Sequence, residues 1–160
     1  MSLVGSDVLK LEYVIVGGIA KLCFPSLVLP ERADELWKHS CFEMFVGQSN
    51  KSAYVEFNFS PSRLWASYRF EDYRNGMQPA IELSAPDICA ETDSEARFAL
   101  TAWVDLSELG NLWPMSLGLS AVIEERDGRL SYWALAHPPG KPDFHHKDCF
   151  ALTLPAPGTP

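Results

Sequence analysis

Short runs in which apolar and polar residues alternate recur along the whole chain, and Pro, Gly, Asn or Asp separates one run from the next. Side chains on a β-strand point alternately to its two faces, so this two-residue period predicts strands, and the 3.6-residue period of a long helix is nearly absent. The predicted strands are Leu9–Val16, Ile19–Phe24, Cys41–Val46, Tyr54–Phe59, Leu64–Phe70, Ala80–Leu83, Arg97–Val104, Ser116–Glu125, Leu130–His137 and Phe150–Leu154. The pattern predicts an all-β fold, a two-sheet antiparallel β-sandwich.

Helical structure is expected only as short turns between strands. Pro30–Leu36 and Ser107–Leu109 are long enough for one or two turns each. No repeat, linker or shift in composition divides the chain, so residues 1–154 are predicted to form a single domain. The Pro-rich residues 155–160 are predicted to be a disordered tail.

Charge and composition exclude several classes of partner. The 160 residues carry a net charge of −8, with a pI of about 4.9, and nucleic-acid affinity depends largely on Lys and Arg. No run approaches the roughly 18 apolar residues that span a bilayer, and no basic segment precedes an apolar one at the N-terminus. We therefore expect a cytoplasmic protein with no nucleic-acid or membrane partner, and its oligomeric state stays open.

The cysteines give no sign of a metal site or a disulfide framework. They lie far apart and form no CxxC pair: Cys23, Cys41, Cys89 and Cys149. We expect reduced, mostly buried thiols and no bound cofactor.

Two glutamates interrupt apolar strands in the segment CFEMFVGQSNKSAYVEFNFS. Alternation places Glu43 on the face of its strand opposite Phe42 and Met44, and it places Glu56 and Asn58 together on the matching face of the next strand. The opposite face of each strand is purely apolar and is predicted to face the core. With Gly47–Ser52 as the hairpin loop, the two glutamates lie directly opposite each other. Facing like charges destabilise a sheet, so a shared proton, a cation or a nearby Arg should compensate.

The following strand offers such an Arg. If Pro61–Leu64 closes the next hairpin, Glu56 pairs with Arg69, although a slip of one residue would turn Arg69 to the core. Trp65 and Tyr54 then edge a polar patch. Carboxylates, an amide and a guanidinium suit the hydroxyl groups of a sugar, and an aromatic ring suits its C–H face. The alternative is a salt-bridge ladder that only stabilises the sheet.

Further aromatic and imidazole groups follow a predicted hairpin. Asp127-Gly128, taken as a two-residue turn, pairs Val122 with Trp133. Trp133 and His137 share a strand face, where Trp133 is either a core residue or a stacking platform for a ligand.

The Pro-rich loop after His137 brings Asp143, His145 and His146 into one short window. These groups are metal ligands by type, but adjacent histidines point apart in an extended chain and no HxH or HxxxH spacing is present. The pattern favours a loop that folds over an end of the sandwich with Phe144 packed beneath it.

Several segments together resemble the bacterial DOMON-like family, which is related to type 9 carbohydrate-binding modules. The resemblance rests on Pro30–Trp37 (PERADELW), His39–Phe45 (HSCFEMF), Tyr54–Pro61 (YVEFNFSP) with Trp65, Tyr68 and Phe70, Tyr132–Pro138 (YWALAHP) and Lys141–His145 (KPDFH). It implies a jelly-roll or immunoglobulin-like β-sandwich with a ligand site in or against one sheet. Relatives in the wider superfamily bind sugars or haem.

Four functions remain open on this basis. The favoured one is a non-catalytic small-ligand-binding domain for a carbohydrate, with seven candidate ligand-binding residues: Glu43, Glu56, Asn58, Trp65, Arg69, Trp133 and His137. The alternatives are a haem or metal carrier, an enzyme that acts on glycosides through Glu43 and Glu56, and a structural or protein-interaction domain. A haem carrier needs axial Met and His ligands, and Met44 is predicted to face the core.

Overall fold

Two antiparallel sheets pack face to face. The computed structural model describes residues 1–5, 7–110 and 112–156. The strands within these residues are β1 (Ser2–Val4), β2 (Val8–Val16), β3 (Cys41–Gln48), β4 (Tyr54–Phe59), β5 (Trp65–Phe70), β6 (Gln78–Pro79), β7 (Asp87–Ser94), β8 (Arg97–Asp105), β9 (Met115–Glu124), β10 (Leu130–Ala134) and β11 (Leu152–Leu154). The smaller sheet has the order β1-β2-β8-β7, and the larger has the order β10-β9-β3-β4-β5-β6, with β11 also paired to β9. The predicted all-β, two-sheet antiparallel sandwich is confirmed.

The main core lies between the sheets and follows the alternation of each strand. Along β8, Phe98, Leu100, Ala102 and Val104 are buried, while the residues between them are partly exposed. The larger sheet contributes its own alternate set: Phe42, Met44, Val46, Val55, Phe57, Phe59, Leu117, Ala121 and Ile123. Each large apolar side chain removed from water contributes about 1.5–3 kcal/mol before the entropy of ordering is subtracted.

The central strands β3, β4 and β5 of the larger sheet are buried on both faces, unlike the strands of the smaller sheet. We call its side away from the smaller sheet the outer face, and the segment of residues 135–151 that lies on it the covering loop. Phe144 of this loop packs with Phe45, Tyr54 and Val122 in a second apolar cluster. Packing of Phe144 beneath its loop is confirmed, but the loop covers the outer face of a sheet and not an end of the sandwich.

A glycine lets the covering loop lie close to the sheet. A Cβ built on Gly118 of β9 would lie 2.9 Å from the backbone oxygen of Cys149. Real Cβ atoms do not approach a backbone oxygen so closely, so a larger residue would push the loop away from the strand.

Some predicted strands are wrong. Ile19–Lys21 forms a short 3-10 helix, in which the N–H of Lys21 donates to the oxygen of Gly18 at 3.0 Å. Ala80–Leu83 is not a strand, and β10 ends at Ala134 instead of reaching His137. The strands β1 and β7 were not expected, because β1 is exposed throughout and β7 is a mostly exposed, polar edge strand that lacks clear alternation.

Short helical turns lie partly where the sequence predicts them. The turn at Ser107–Leu109 is confirmed, whereas the one predicted in Pro30–Leu36 is found at Leu36–Lys38. A further 3-10 helix, Lys147–Cys149, belongs to the covering loop and was not predicted.

Half of the cysteines depart from the expectation of burial. Cys41 and Cys149 are buried, whereas Cys23 and Cys89 are exposed, and all four are free thiols.

Residues 157–160 of the predicted disordered tail lie outside the described residues. Among the residues that the structure describes, no helix is long and apolar enough to cross a membrane.

Candidate functional site

Glu43 and Glu56 lie on the outer face, as alternation predicts, but they are diagonal neighbours. Glu43 pairs with Asn58, and Phe45 pairs with Glu56. The predicted register, with the glutamates directly opposite, is wrong. The six-residue hairpin loop begins one residue later than predicted, so Gly47 pairs with Tyr54. This shift moves the register by two residues, which keeps both carboxyl groups on the same face.

The two glutamates, which we call the carboxylate pair, are almost completely buried. Their exposed fractions are 3% for Glu43 and 4% for Glu56. Ser120 Oγ donates to Glu43 Oε2 at 2.9 Å, and Asn58 Nδ2 donates to Glu56 Oε1 at 2.7 Å. Beneath them, Cys41 Sγ donates to Asn58 Oδ1 at 3.4 Å. The amide of Asn58 therefore joins Glu56 to the thiol in one buried polar network, and Glu43 with its partner Ser120 lies beside it.

Burial raises the pKa of both carboxyl groups because the charged form loses its hydration. The pKa of Glu43 is raised to about 8 by desolvation and then by the charge of Glu56, against the hydrogen bond from Ser120. The pKa of Glu56 is raised to about 7 by desolvation, against the hydrogen bond from Asn58. The pair therefore holds at least one proton near neutral pH, which relieves the repulsion that two neighbouring charges would cause.

Arg69 does not compensate the pair, and this prediction is wrong. Ser60 N–H donates to the oxygen of Leu64 at 2.9 Å, so the β4–β5 loop has three residues, and Arg63 within it adopts a positive φ of 78°. Tyr68 then faces Glu56. The slip of one residue turns Arg69 to the opposite side of the sheet, where its Nε lies 2.5 Å from Glu82 Oε1 at the sheet edge.

A different arginine acts on the carboxylate pair from the loop after β5. Arg74 lowers the pKa of both glutamates through its charge. Its guanidinium is held by the covering loop, with Nη2 2.8 Å from Asp143 Oδ1, and Tyr73 OH donates to the other oxygen of that carboxylate. This clamp ties the β5–β6 connection to the covering loop.

His145 of the covering loop lies between the carboxylate pair and the surface. Its Nε2 is 3.9 Å from Glu56 Oε2, and its Nδ1 is 2.7 Å from Tyr54 OH. The Tyr54 oxygen also accepts the backbone N–H of Arg74 at 3.3 Å, so we assign the tyrosine proton to the bond with His145 Nδ1. The neutral imidazole then carries its own proton on Nε2, which faces Glu56. Burial, and then the charge of Arg74, lowers the pKa of His145 to about 4, so the ring is neutral at physiological pH.

A groove opens beside this network at the end of the β3–β4 hairpin. It has a volume of about 670 Å³, and we call it the hairpin-end groove. Its lining comprises amides, hydroxyls, charged groups and aromatic rings: Gln48, Ser49, Asn50, Lys51, Ser52, Tyr54, Asp72, Tyr73, Ser116, His145, His146, Lys147 and Phe150. Tyr54 and His145 belong both to the groove wall and to the network above the carboxylate pair.

The remaining predicted site residues lie elsewhere. Trp65 is buried in the main core, where the Arg32 guanidinium lies 4.2 Å from its ring centre. His137 is exposed beyond the end of β10, with its ring 6.1 Å from that of Phe144. The structure thus brings together Glu43, Glu56 and Asn58 and separates them from the other four candidates.

Trp133 faces away from the carboxylate pair. The hairpin before it has three loop residues with Gly128 at a φ of 85°, so Trp133 pairs with Ala121 and the predicted pairing with Val122 is wrong. Trp133 is 63% exposed and lines an apolar cleft of about 510 Å³ at the open edge between the two sheets.

Sequence reasoning missed the roles of His145, Asp143, Arg74 and Tyr73 in this site. The window from Asp143 to His146 was noted in the sequence, but its spacing argued against a metal site and indicated only a loop that folds over an end of the sandwich. Among the described residues, no three His, Cys, Asp or Glu side chains are placed to hold a metal ion. The imidazole of His145 instead forms a hydrogen bond with a phenol and lies 3.9 Å from a carboxyl group, which no local spacing reveals.

Comparisons with known proteins support the fold. No protein-family model matches the chain, and no curated protein matches it. The structure is similar to the crystal structure of a protein from Bacteroides uniformis that is described as a "putative carbohydrate-binding protein", with a TM-score of 0.61 and 12% sequence identity. The likeness covers 90% of this chain and 71% of that one. At this identity it shows the fold alone, and membership of the DOMON-like family stays a prediction.

Proposed function

We propose that this protein is a non-catalytic carbohydrate-binding domain of the DOMON-like type, and that its ligand occupies the hairpin-end groove. The groove itself is the observation that carries the proposal. Its volume of about 670 Å³ lies within the range of small-ligand sites. The described carbohydrate-binding role of the Bacteroides uniformis protein, whose fold is similar, gives independent support.

The groove offers both kinds of contact that a sugar requires. Gln48 and Asn50 supply amides, and Ser52 supplies a hydroxyl that can accept or donate a hydrogen bond. Tyr73 supplies an aromatic ring that is 49% exposed, on which the C–H face of a pyranose can stack.

The carboxylate pair supports this role indirectly. Glu43 and Glu56 are covered by the loop and do not line the groove. We therefore assign Glu56 to holding Asn58 and facing His145, and Glu43 to its bond with Ser120, instead of contacting the ligand. A glycosidase needs two carboxyl groups that flank a bond within a cleft. The burial of this pair therefore favours binding over catalysis.

Calorimetric titration with a panel of monosaccharides and disaccharides tests the proposal. We expect saturable binding that weakens by about tenfold in Tyr73→Ala, because a lost stacking platform is worth about 1.4 kcal/mol. Trp133→Ala is the matched control, since it removes an exposed ring outside the groove. Absence of binding to every sugar, or equal weakening by both variants, would refute the assignment.

A further inference from the structure

The hairpin-end groove differs in charge from the rest of the protein. The chain has 21 acidic and 13 basic residues, which gives its net charge of −8. In the groove, two ammonium groups, those of Lys51 and Lys147, accompany a single carboxylate among the described lining residues, that of Asp72. A locally positive groove attracts anions, whereas the remaining acidic surface repels them.

The charged groups of the groove also differ in whether they already have partners within the protein. Asp72 Oδ1 accepts the backbone N–H of Tyr73 at 2.7 Å, so this carboxylate is partly satisfied within its own loop. Neither lysine side chain forms an ion pair with another described residue. Both ammonium groups are therefore available to an incoming ligand.

The two lysines come from separate segments whose backbones are held in place. Lys51 belongs to the β3–β4 loop, where its N–H donates to the oxygen of Gln48 at 3.0 Å. Lys147 begins the short 3-10 helix of the covering loop, which is closed by the N–H of Cys149 donating to the oxygen of His146 at 2.9 Å. A ligand in the groove therefore meets positive charge from both the hairpin and the covering loop.

We propose that the ligand of the hairpin-end groove carries an anionic group, a carboxylate or a phosphate, that Lys51 and Lys147 bind. The identity of the ligand as an acidic sugar rests on the proposed function, whereas the anion site rests on the groove charges alone. Hydroxyls and C–H faces of the same ligand then contact the amides and Tyr73.

Titration of five compounds tests this inference: glucose, glucuronate, glucose 6-phosphate, inorganic phosphate and acetate. We expect the two acidic sugars to bind more tightly than glucose and to weaken at higher salt, because exposed ion pairs are screened. Each of Lys51→Gln and Lys147→Gln should weaken acidic sugars by about three- to fivefold and leave glucose unchanged. The control is Lys21→Gln, an exposed lysine outside the groove.

The outcomes separate this inference from the proposed function. Equal binding of glucose and glucuronate, unchanged in the lysine variants, overturns the inference and leaves sugar binding intact. Binding of phosphate or acetate that the lysine variants weaken, without binding of any sugar, supports the anion site and refutes the carbohydrate assignment. Comparison of glucuronate with glucose 6-phosphate shows which anion the site takes. No binding of these five compounds overturns the inference, and no binding of any sugar in the wider panel overturns the proposed function as well.

Discussion

Replacement of the carboxylate pair by glutamines should change how stability depends on pH. A carboxyl group whose pKa is higher in the folded than in the unfolded protein stabilises the fold at low pH, and that stability is lost as pH rises through the folded-state pKa. Glu43, with a pKa of about 8, and Glu56, with a pKa of about 7, are both of this kind. His145, with its pKa lowered to about 4, has the opposite sign, and its contribution is lost as pH falls below about 6.5.

The size of the effect is clearest between pH 6.5 and 8.5. In this window the folded histidine is neutral and the unfolded one becomes neutral above about pH 7, so it offsets only a small part of the slope. Each glutamate loses about 1.4 kcal/mol of stability per pH unit until its folded-state pKa is passed. The two glutamates together should lower the free energy of unfolding by about 3 kcal/mol across the window. This is a large fraction of the stability of a single domain, which is about 5–15 kcal/mol.

Urea unfolding followed by tryptophan fluorescence at several pH values measures this slope. The Glu43→Gln/Glu56→Gln variant should show a much shallower profile between pH 6.5 and 8.5, because an amide does not ionise. Only the slope near the upper end of the window should remain, since burial raises the pKa of the Cys41 and Cys149 thiols. Glu95→Gln, which changes an exposed carboxylate, should keep the wild-type slope. A wild-type profile that is flat or rises with pH, or a double variant with the same slope as wild type, would show that the glutamates are not buried in the way described.

Three further predictions concern the loops around the site. Gly118→Ala should lower stability by about 1–3 kcal/mol in urea unfolding and increase hydrogen exchange in the covering loop, because the new Cβ meets Cys149; unchanged exchange would contradict this. Arg63→Gly should raise stability by about 1 kcal/mol by relieving a positive φ, and a lower urea midpoint would count against that strain. Tyr54→Phe should cost about 1–3 kcal/mol by leaving His145 Nδ1 without its partner, and an equal midpoint would argue that the bond is not formed.

How much of this site could be predicted depended on the length of each hairpin loop. An error of two residues in the β3–β4 register left Glu43 and Glu56 on the correct face. An error of one residue in the β4–β5 register moved Arg69 to the wrong face. A separate error of one residue, in the β9–β10 register, moved Trp133. In both of these hairpins the third loop residue, Arg63 or Gly128, has a positive φ. Neither Arg63 nor the Asp127-Gly128 pair indicated a three-residue loop in the sequence.

Burial of the carboxylate pair could not be predicted from its own strands. Alternation separates the core face of β3 and β4 from the other face, but an outer face is ordinarily in contact with solvent. Here it is covered by a Pro-rich loop about a hundred residues further along the chain, through Phe144 and His145. Such a contact depends on tertiary packing, which the two-residue period of a strand does not encode.

The odd-length loop Pro61–Arg63 limits how this protein can change during evolution. Insertion of a single residue there would exchange the two faces of β5, turning Trp65 out of the main core and Tyr68 into it. Insertion of two residues would preserve both faces. We therefore expect functional relatives to differ at this loop by even numbers of residues, whereas the six-residue β3–β4 loop, which borders the groove, offers a place where length and ligand preference can vary together.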